Sequence, residues 1–158
     1  MANRSYALPD LKFDSVPITL EEPNMLLLDM AEYSFHGSAF YSEEELLRID
    51  NIVRRQLDIP VRRKEVVQPY LIEPEVTSKT LTLCFRIQSE CPITGCCLAL
   101  EDAESTTLVL NGASVLVQTN GWYVDKAIRT VPLPDLKCGE NILLVTVPIG
   151  RRTNLEYM

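Results

Sequence analysis

Residues 106–148, TTLVLNGASVLVQTNGWYVDKAIRTVPLPDLKCGENILLVTVP, carry the clearest structural pattern in the chain. Turn-forming groups separate short runs of apolar and β-branched residues in this stretch, which is typical of antiparallel strands. These groups are Asn111-Gly112, Asn120-Gly121 and Gly139-Glu140-Asn141. The pair Asn111-Gly112 predicts a tight hairpin, because both residues tolerate positive φ. The stretch therefore predicts an antiparallel architecture, and it contains no enzyme motif.

Strand patterns extend upstream of this stretch and along it. Residues 80–87 alternate between apolar and mostly polar side chains, as in a strand that covers a core with one face. A return strand is predicted over residues 96–101, and further strands over 106–110, 113–117, 123–128 and 142–147. Seven or eight short strands without repeated β–α alternation predict a mainly β fold, an antiparallel β-sandwich or jelly roll.

One α-helix is predicted over residues 43–59, inserted between the strands. Ser42 and Glu45 have the spacing of a capping box, and Pro60 ends the helical pattern. One face carries an apolar stripe at helical spacing, made of Leu46, Ile49, Val53 and Leu57. The stripe predicts a helix lying on the core, with binding of a protein partner as the alternative.

The pattern divides the chain into a lead-in and one domain. Residues 1–22 are polar and contain prolines, which predicts an extended lead-in or linker. Residues 23–158 are predicted to form the β-sandwich domain, a size that suits a single core. The apolar run that begins at Met25 and continues toward Tyr33 predicts a buried strand.

Charge and hydropathy exclude several classes of function. The chain of 158 residues has 15 basic and 22 acidic side chains and a net charge of -7, which disfavours nucleic-acid binding. No apolar run approaches the roughly 20 residues of a membrane-spanning helix. The N-terminus lacks the apolar segment of a signal peptide, so we expect a cytoplasmic protein without membrane partners.

Cysteine and histidine usage gives no support for metal or cofactor chemistry. The five cysteines are Cys84, Cys91, Cys96, Cys97 and Cys138. Their odd number argues against a complete disulfide framework, and they are interpreted as reduced, small apolar residues. With His36 as the single histidine and no C-x-x-C, no zinc site, metal or cofactor is predicted. The acidic cluster Glu101, Asp102 and Glu104 is interpreted as exposed turn residues rather than a catalytic pair.

The segment 120–125, NGWYVD, is the candidate binding site. Trp122 and Tyr123 offer aromatic faces that stack on sugar rings, and Asn120 and Asp125 offer hydrogen bonds to hydroxyls. The alternative is structural, because Trp and Tyr often pack in sandwich cores. A second aromatic-rich group lies before the helix and is open to the same two interpretations; it comprises Tyr33, His36, Phe40 and Tyr41.

Three motifs in order resemble a known family. They are LVLNGASV at 108–115, NGWYVD at 120–125 and LPDLKCGENILLVTVP at 133–148, with PNMLLLD at 23–29 similar to the strand that begins such a domain. Together they resemble the sugar-binding, jelly-roll domain of family 2 glycoside hydrolases and of related β-galactosidase-like and rhamnosidase-like bacterial proteins. The resemblance spans residues 20–148 and implies the galactose-binding-like sandwich. The 43–59 helix departs from a minimal jelly roll.

The resemblance implies a role without catalysis in this chain. In that family, catalysis belongs to a separate barrel domain with two glutamates, for which this chain is too short. We therefore expect a domain excised from a longer glycosidase-like protein, with no catalytic residues of its own. Its expected role is scaffolding for the parent's catalytic domain, with a contribution to carbohydrate binding. The alternatives are a stand-alone carbohydrate-binding module and a protein-interaction domain that uses the 43–59 helix.

Overall fold

The computed structural model describes residues 19–61, 77–151, 153 and 155. Residues 1–18 of the predicted lead-in lie outside this part, as do residues 62–76. The elements are β1 Met30–Phe35, β2 Tyr41–Glu45, α1 Leu46–Gln56, β3 Thr80–Ser89, β4 Cys97–Glu101, β5 Thr107–Leu110, β6 Ala113–Val115, β7 Gly121–Tyr123, β8 Asp125–Pro132 and β9 Gly139–Pro148. A short 3-10 helix, Ala103–Ser105, joins β4 to β5.

The described strands form two antiparallel sheets. The larger sheet has the order β2-β1-β3-β9-β5-β6, and the smaller sheet has the order β4-β8-β7. All of the strand pairings are antiparallel. The prediction of a mainly β fold with antiparallel strands and one helix is confirmed, and the arrangement is consistent with a β-sandwich.

The long pairing of β3 with β9 forms the centre of the larger sheet. It joins ten residues of each strand, from Thr80 opposite Pro148 to Ser89 opposite Gly139. Alternate side chains, such as Leu81 and Leu83, are fully buried, as the period of two in the sequence requires. Buried residues of both sheets and of α1 belong to one hydrophobic cluster. The fold therefore has one core, to which every layer contributes.

The helix is shorter than predicted and begins without a capping box. Ser42 and Glu45 lie in β2, where Glu44 pairs with Ala31 of β1. No side chain caps the helix, and the N–H of Leu46 donates instead to the Asp29 carbonyl oxygen at 2.9 Å. Strand pairing uses the segment that the local pattern assigned to the cap, so that prediction is wrong.

The apolar stripe of the helix packs as predicted. Leu46, Ile49 and Val53 are buried, and Leu57 is partly buried against the core. These side chains are consequently not available to a protein partner. The alternative that the helix binds a partner through this stripe has no free surface in the described fold.

The apolar run at residues 25–28 is largely exposed, contrary to the prediction of a buried strand. Met25, Leu26 and Leu27 have exposed fractions of 55%, 66% and 75%, while Leu28 packs against the core. The first strand starts only at Met30, where pairing with β2 begins. The apolar run suggested a strand that starts at Met25, but a strand forms only where a neighbouring strand pairs with it, and β2 pairs with the chain from Met30 onward.

Of the two Asn-Gly pairs in the sequence, one forms a turn and the other does not. Asn111 and Gly112 have φ values of 52° and 83° and join β5 to β6 as a tight hairpin, which confirms the prediction. Asn120-Gly121 is not a turn, because Gly121 begins β7 and the chain reverses at Val124, where φ is 60°. A Cβ at Gly121 would lie 3.1 Å from Thr130 Oγ1, so close strand packing accounts for this glycine.

A buried asparagine connects two of the motifs that support the family resemblance. Asn141 is fully buried, and its Oδ1 accepts hydrogen bonds from Asn111 Nδ2 at 2.9 Å and from the Lys137 N–H at 3.0 Å. Its Nδ2 donates to the carbonyl oxygens of Lys137 and Gly139, at 2.8 and 3.2 Å. The amide thereby holds the Asn-Gly hairpin against the start of β9.

Candidate functional site

Trp122 lies on β7, an edge strand of the smaller sheet. Its side chain is 53% exposed. Trp122 pairs with Arg129 of β8, and Arg129 pairs in turn with the fully buried Leu100 of β4. Directly paired residues of an antiparallel sheet share a face. Trp122 therefore lies on the core-facing side of the sheet, at the free edge where that side becomes open to solvent.

A row of polar side chains lies beside the tryptophan. Arg129 Nη2 donates to Thr119 Oγ1 at 3.3 Å, and Thr119 Oγ1 donates to Glu104 Oε1 at 3.4 Å. The Nε of Arg129 is buried and has no hydrogen-bond partner within the described residues. An unpaired buried donor is energetically costly. We call this surface, formed by Trp122, Arg129, Thr119 and Glu104, the Trp122 edge.

Asn120 does not join the Trp122 edge. Its Oδ1 accepts a hydrogen bond from Thr130 Oγ1 at 2.8 Å, and its Nδ2 lies 3.9 Å from Cys97 Sγ. Thr130 follows Arg129 on β8 and so faces the opposite side of the sheet. The side chain of Asn120 therefore serves strand packing on the face away from Trp122.

Asp125 and Tyr123 belong to the β7–β8 turn. Asp125 Oδ1 accepts a hydrogen bond from the Ala127 N–H at 2.8 Å, which stabilises the start of β8. Tyr123 is half-buried and pairs with Asp125 across the turn. Between them, Val124 has positive φ, a conformation that is strained for a β-branched residue. Of the four predicted residues, Trp122 is the one whose side chain is exposed without a structural hydrogen bond of this kind.

The second aromatic-rich group has a structural arrangement. The rings of Tyr33 and Tyr41 stack across β1 and β2, with centroids 5.0 Å apart and an interplanar angle of 21°. Tyr33 is buried, whereas Phe40 and Tyr41 are about half exposed. The backbone N–H of His36 donates to the Thr80 carbonyl oxygen at 2.8 Å. Cross-strand stacking explains the position of Tyr41, while Phe40 lies just before β2 with its side chain about half in solvent.

The polar residues of the Trp122 edge could not be identified from the sequence alone. Arg129, Thr119 and Glu104 come from three separate segments, and their proximity depends on the pairing of β7 with β8. The alternation of side chains over residues 125–132 indicates which of them share a face of β8. It does not indicate that Arg129 pairs with Trp122, because that register depends on the turn at Val124. The acidic cluster of the sequence contributes one member, Glu104, through its bond to Thr119.

Other chemistry finds little support in the part of the chain that the structure describes. No group of three or more His, Cys, Asp or Glu side chains there is arranged to hold a metal ion. Among the described helices, none has the length and apolar character needed to cross a membrane. Comparisons with protein-family models, with curated proteins and with solved structures found no match.

Proposed function

We propose that this chain is a non-catalytic accessory domain that binds a saccharide at the Trp122 edge. The observation that carries the proposal is the exposure of the chain's single tryptophan, 53%, on an edge strand. Large aromatic side chains stabilise a fold most when they are buried. An indole left in solvent forgoes that stabilisation, and contact with a ligand accounts for its position.

The chemistry of the Trp122 edge suits a sugar ring. The apolar face of the indole packs against the C–H face of a pyranose, and polar groups at the side fix the orientation. Arg129 supplies guanidinium donors, and Thr119 and Glu104 supply oxygen acceptors for ring hydroxyls. One aromatic platform flanked by donors and acceptors is a small site, which favours one or two sugar units of a longer chain.

The carboxylates near this edge support binding rather than hydrolysis. Glycoside hydrolysis commonly uses two carboxyl groups about 5–10 Å apart, of which one donates a proton. Glu104 accepts a hydrogen bond from Thr119, and Asp125 accepts one from the Ala127 N–H. Each carboxylate thus has one oxygen in a structural hydrogen bond. We therefore assign the chemistry of any parent protein to a separate catalytic domain.

The jelly-roll, galactose-binding-like type is part of the same proposal. It is supported by two antiparallel sheets and by the order of the sequence motifs. It is also supported by the contact of the Asn-Gly hairpin with the Gly-x-Asn motif through Asn111 and Asn141. That contact gives the two motifs a shared structural role, as expected if they belong to one ancestral domain.

Titration with oligosaccharides tests the proposal. The probes are β-1,4-linked galacto-oligosaccharides first and then a printed glycan array, each applied to the wild type, Trp122→Ala and Phe40→Ala. We expect Trp122→Ala to abolish binding while the melting temperature changes little, because the indole is half exposed. Phe40→Ala removes an aromatic side chain of similar exposure, 47%, and should leave binding unchanged.

Two results would count against the sugar-binding proposal. The first is a wild-type protein that binds no glycan of the array. The second is a large loss of stability in Trp122→Ala, which would show that the indole belongs to the core.

A second candidate is scaffolding within a larger glycosidase-like protein, and the exposed run before β1 favours it. Met25, Leu26 and Leu27 present adjacent apolar side chains on the surface, which suits an interface with a catalytic domain. We expect the double substitution of Leu26 and Leu27 by Ser to reduce self-association in light scattering and to leave the melting temperature unchanged. A marked fall in melting temperature would instead assign these leucines to the core.

A further inference from the structure

Two exposed cysteines lie at the end of the central strand pair. Ser89 of β3 pairs with Gly139 of β9, so the same register places Glu90 opposite Cys138. Cys91 follows immediately and, like Cys138, is a free and exposed thiol. The two cysteines are 47 positions apart in the sequence (138 minus 91), and the meeting of the two strand ends brings them together.

An isolated bridge beyond the ends of β3 and β9 has a register that, when extended, sets Cys91 opposite Cys138. Ile93 and Leu136 form an antiparallel bridge, in which each N–H donates to the other's carbonyl oxygen, at 3.0 and 2.9 Å. In an antiparallel register, the residue two before Ile93 lies opposite the residue two after Leu136. These residues are Cys91 and Cys138. The two registers differ by one residue, as at a β-bulge, so extending them sets Cys138 opposite Glu90 from one side and opposite Cys91 from the other.

The separation implied by this register suits a disulfide. Directly opposed residues of antiparallel strands have Cα atoms about 4.5–5.5 Å apart. Disulfides usually join residues whose Cα atoms are about 4.4–6.8 Å apart. The 47-residue spacing of the two cysteines in the sequence does not indicate a disulfide, because their proximity depends on the change of register between the two strands.

A direct contact brings the sulfur of Cys138 to the residue before Cys91. Cys138 Sγ donates a hydrogen bond to the Glu90 carbonyl oxygen at 3.2 Å. In a planar trans peptide this oxygen lies about 2.8 Å from the next Cα, that of Cys91. The sulfur is therefore at most about 6 Å from the Cys91 Cα, a distance that a rotation of the two side chains covers.

Both cysteine-bearing segments are held in place by side-chain hydrogen bonds. Ser89 Oγ donates to the Cys91 carbonyl oxygen at 2.7 Å. On the other strand, the buried amide of Asn141 bonds to both the N–H and the carbonyl oxygen of Lys137, the residue before Cys138. The two thiols are thus presented by anchored backbone, which lowers the entropic cost of joining them.

We propose that Cys91 and Cys138 form a reversible cross-strand disulfide by exchange with a small-molecule disulfide. One thiolate attacks a sulfur of the oxidant, whose S–S bond breaks and releases one thiolate, leaving a mixed disulfide. The second cysteine thiolate then attacks the protein sulfur of that mixed disulfide and releases the other oxidant thiolate. In sum the protein loses two protons and two electrons, and the oxidant is reduced to two thiols.

The disulfide would join the facing ends of β3 and β9, two neighbouring strands of the larger sheet. The closed segment runs from Cys91 to Cys138, 48 residues counted inclusively, and contains β4, β5, β6, β7 and β8. It therefore contains every strand of the smaller sheet and the whole Trp122 edge. Closing a loop of this length restricts the unfolded chain strongly and so raises stability.

The other three cysteines are placed differently. Cys84 is buried in the larger sheet, where burial and the nearby Glu32 raise the pKa of its thiol, which slows its reaction. Cys97 is the first residue of β4 and Cys96 directly precedes it, and successive side chains of a strand face opposite sides. Cys97 is exposed, as Cys91 is, and so provides the matched control.

Incubation with oxidised glutathione tests the proposal. After alkylation of the remaining thiols, peptide mapping should find Cys91 and Cys138 in one cross-linked pair of peptides, which is lighter by two hydrogen atoms than the sum of the two reduced peptides. The melting temperature should rise by at least about 5 °C and return on addition of dithiothreitol. Cys91→Ser and Cys138→Ser should each abolish the cross-link and the shift, and Cys97→Ser should keep both.

Three results would overturn the proposal. They are separate glutathione adducts on Cys91 and Cys138 with no cross-link, a dominant cross-link to another cysteine, and a cross-link that persists in Cys138→Ser. Each can be read from the same peptide map. The serine variants retain a side-chain donor for the Glu90 carbonyl oxygen, and circular dichroism of the unoxidised variants confirms that they fold.

Discussion

Replacement of Asn141 by alanine should be among the most damaging single changes to a polar side chain of this fold. Asn141 is fully buried and makes four side-chain hydrogen bonds, to Asn111, twice to Lys137 and to Gly139. Each such bond contributes about 0.5–1.5 kcal/mol net, and an abandoned buried partner costs more. Lys137 and Asn111 are exposed and can bond to water instead, so we expect a loss of about 3 kcal/mol.

Urea denaturation and thermal melting measure this loss directly. For a chain of this length, about 3 kcal/mol corresponds to a fall of roughly 6–12 °C in melting temperature. Asn51→Ala is a matched control, because Asn51 lies on the helix and makes one side-chain bond, from Nδ2 to the Leu47 carbonyl oxygen. That control should change the free energy of unfolding by less than about 0.5 kcal/mol.

A double-mutant cycle separates the contact between the two motifs from the rest of the network. Asn111→Gly keeps the positive φ of the hairpin and removes the Asn111 side chain, which bonds to Asn141 and to the Ile142 N–H. We expect coupling of about 0.5–1.5 kcal/mol between Asn111→Gly and Asn141→Ala. A stability loss below about 1 kcal/mol for Asn141→Ala, or no coupling in the cycle, would refute the network as a structural clamp.

Two further predictions concern strain and alkaline stability. Val124→Gly should stabilise the fold by about 0.5–1 kcal/mol, because relief of strain at positive φ exceeds the entropic cost of glycine. The control Ala127→Gly, at an exposed position of β8, should destabilise the fold. Equal effects of the two substitutions in urea denaturation would show that the Val124 backbone is not strained. Burial, followed by the charge of Glu32, raises the pKa of the Cys84 thiol in the folded state. Above the ordinary thiol pKa of about 8.5 the unfolded state loses this proton first, so stability falls as the pH rises. Cys84→Ala should flatten that fall between pH 7.5 and 9.5 in thermal melts, and an unchanged slope would exclude the thiol as its cause.

Local sequence patterns were sufficient where the structure is local. The Asn111-Gly112 hairpin follows from two residues that accept positive φ, and the stripe from Leu46 to Leu57 follows from helical spacing. The alternation over residues 80–87 likewise predicted a half-covered strand, which the structure extends to Ser89. In each of these three cases, the residues that form the sequence pattern are close in the chain and belong to the same structural element.

Prediction failed where a distant segment decides the outcome. Ser42 and Glu45 have the spacing of a capping box, but pairing of β2 with β1 takes this segment into a sheet. Asn120-Gly121 reads as a turn, but the Asn120 N–H already bonds to the Thr130 carbonyl oxygen in the sheet. Hydrogen bonds to remote strands outweighed the local preferences at both positions.

In the candidate site, too, local features were predictable and features that depend on strand pairing were not. Trp122 was identified from its residue type, but its neighbour Arg129 depends on a turn at Val124, a residue that seldom adopts positive φ. Asn120 and Asp125 were chosen for their hydrogen-bonding groups, which the structure instead uses for Thr130 and Ala127. Residue chemistry indicated a type of ligand, and only the register indicated which residues share a face.

Fluorescence of the single tryptophan reports on saccharide binding at the Trp122 edge, because all of the tryptophan emission comes from Trp122. In the free protein, acrylamide should quench this emission efficiently, since the side chain is 53% exposed. A saturating oligosaccharide should then shift the emission to shorter wavelength and reduce the quenching, in the wild type and in Phe40→Ala alike. An indole shielded from acrylamide in the free protein, or quenching that no glycan of the panel changes, would contradict the assignment of Trp122 as a saccharide platform.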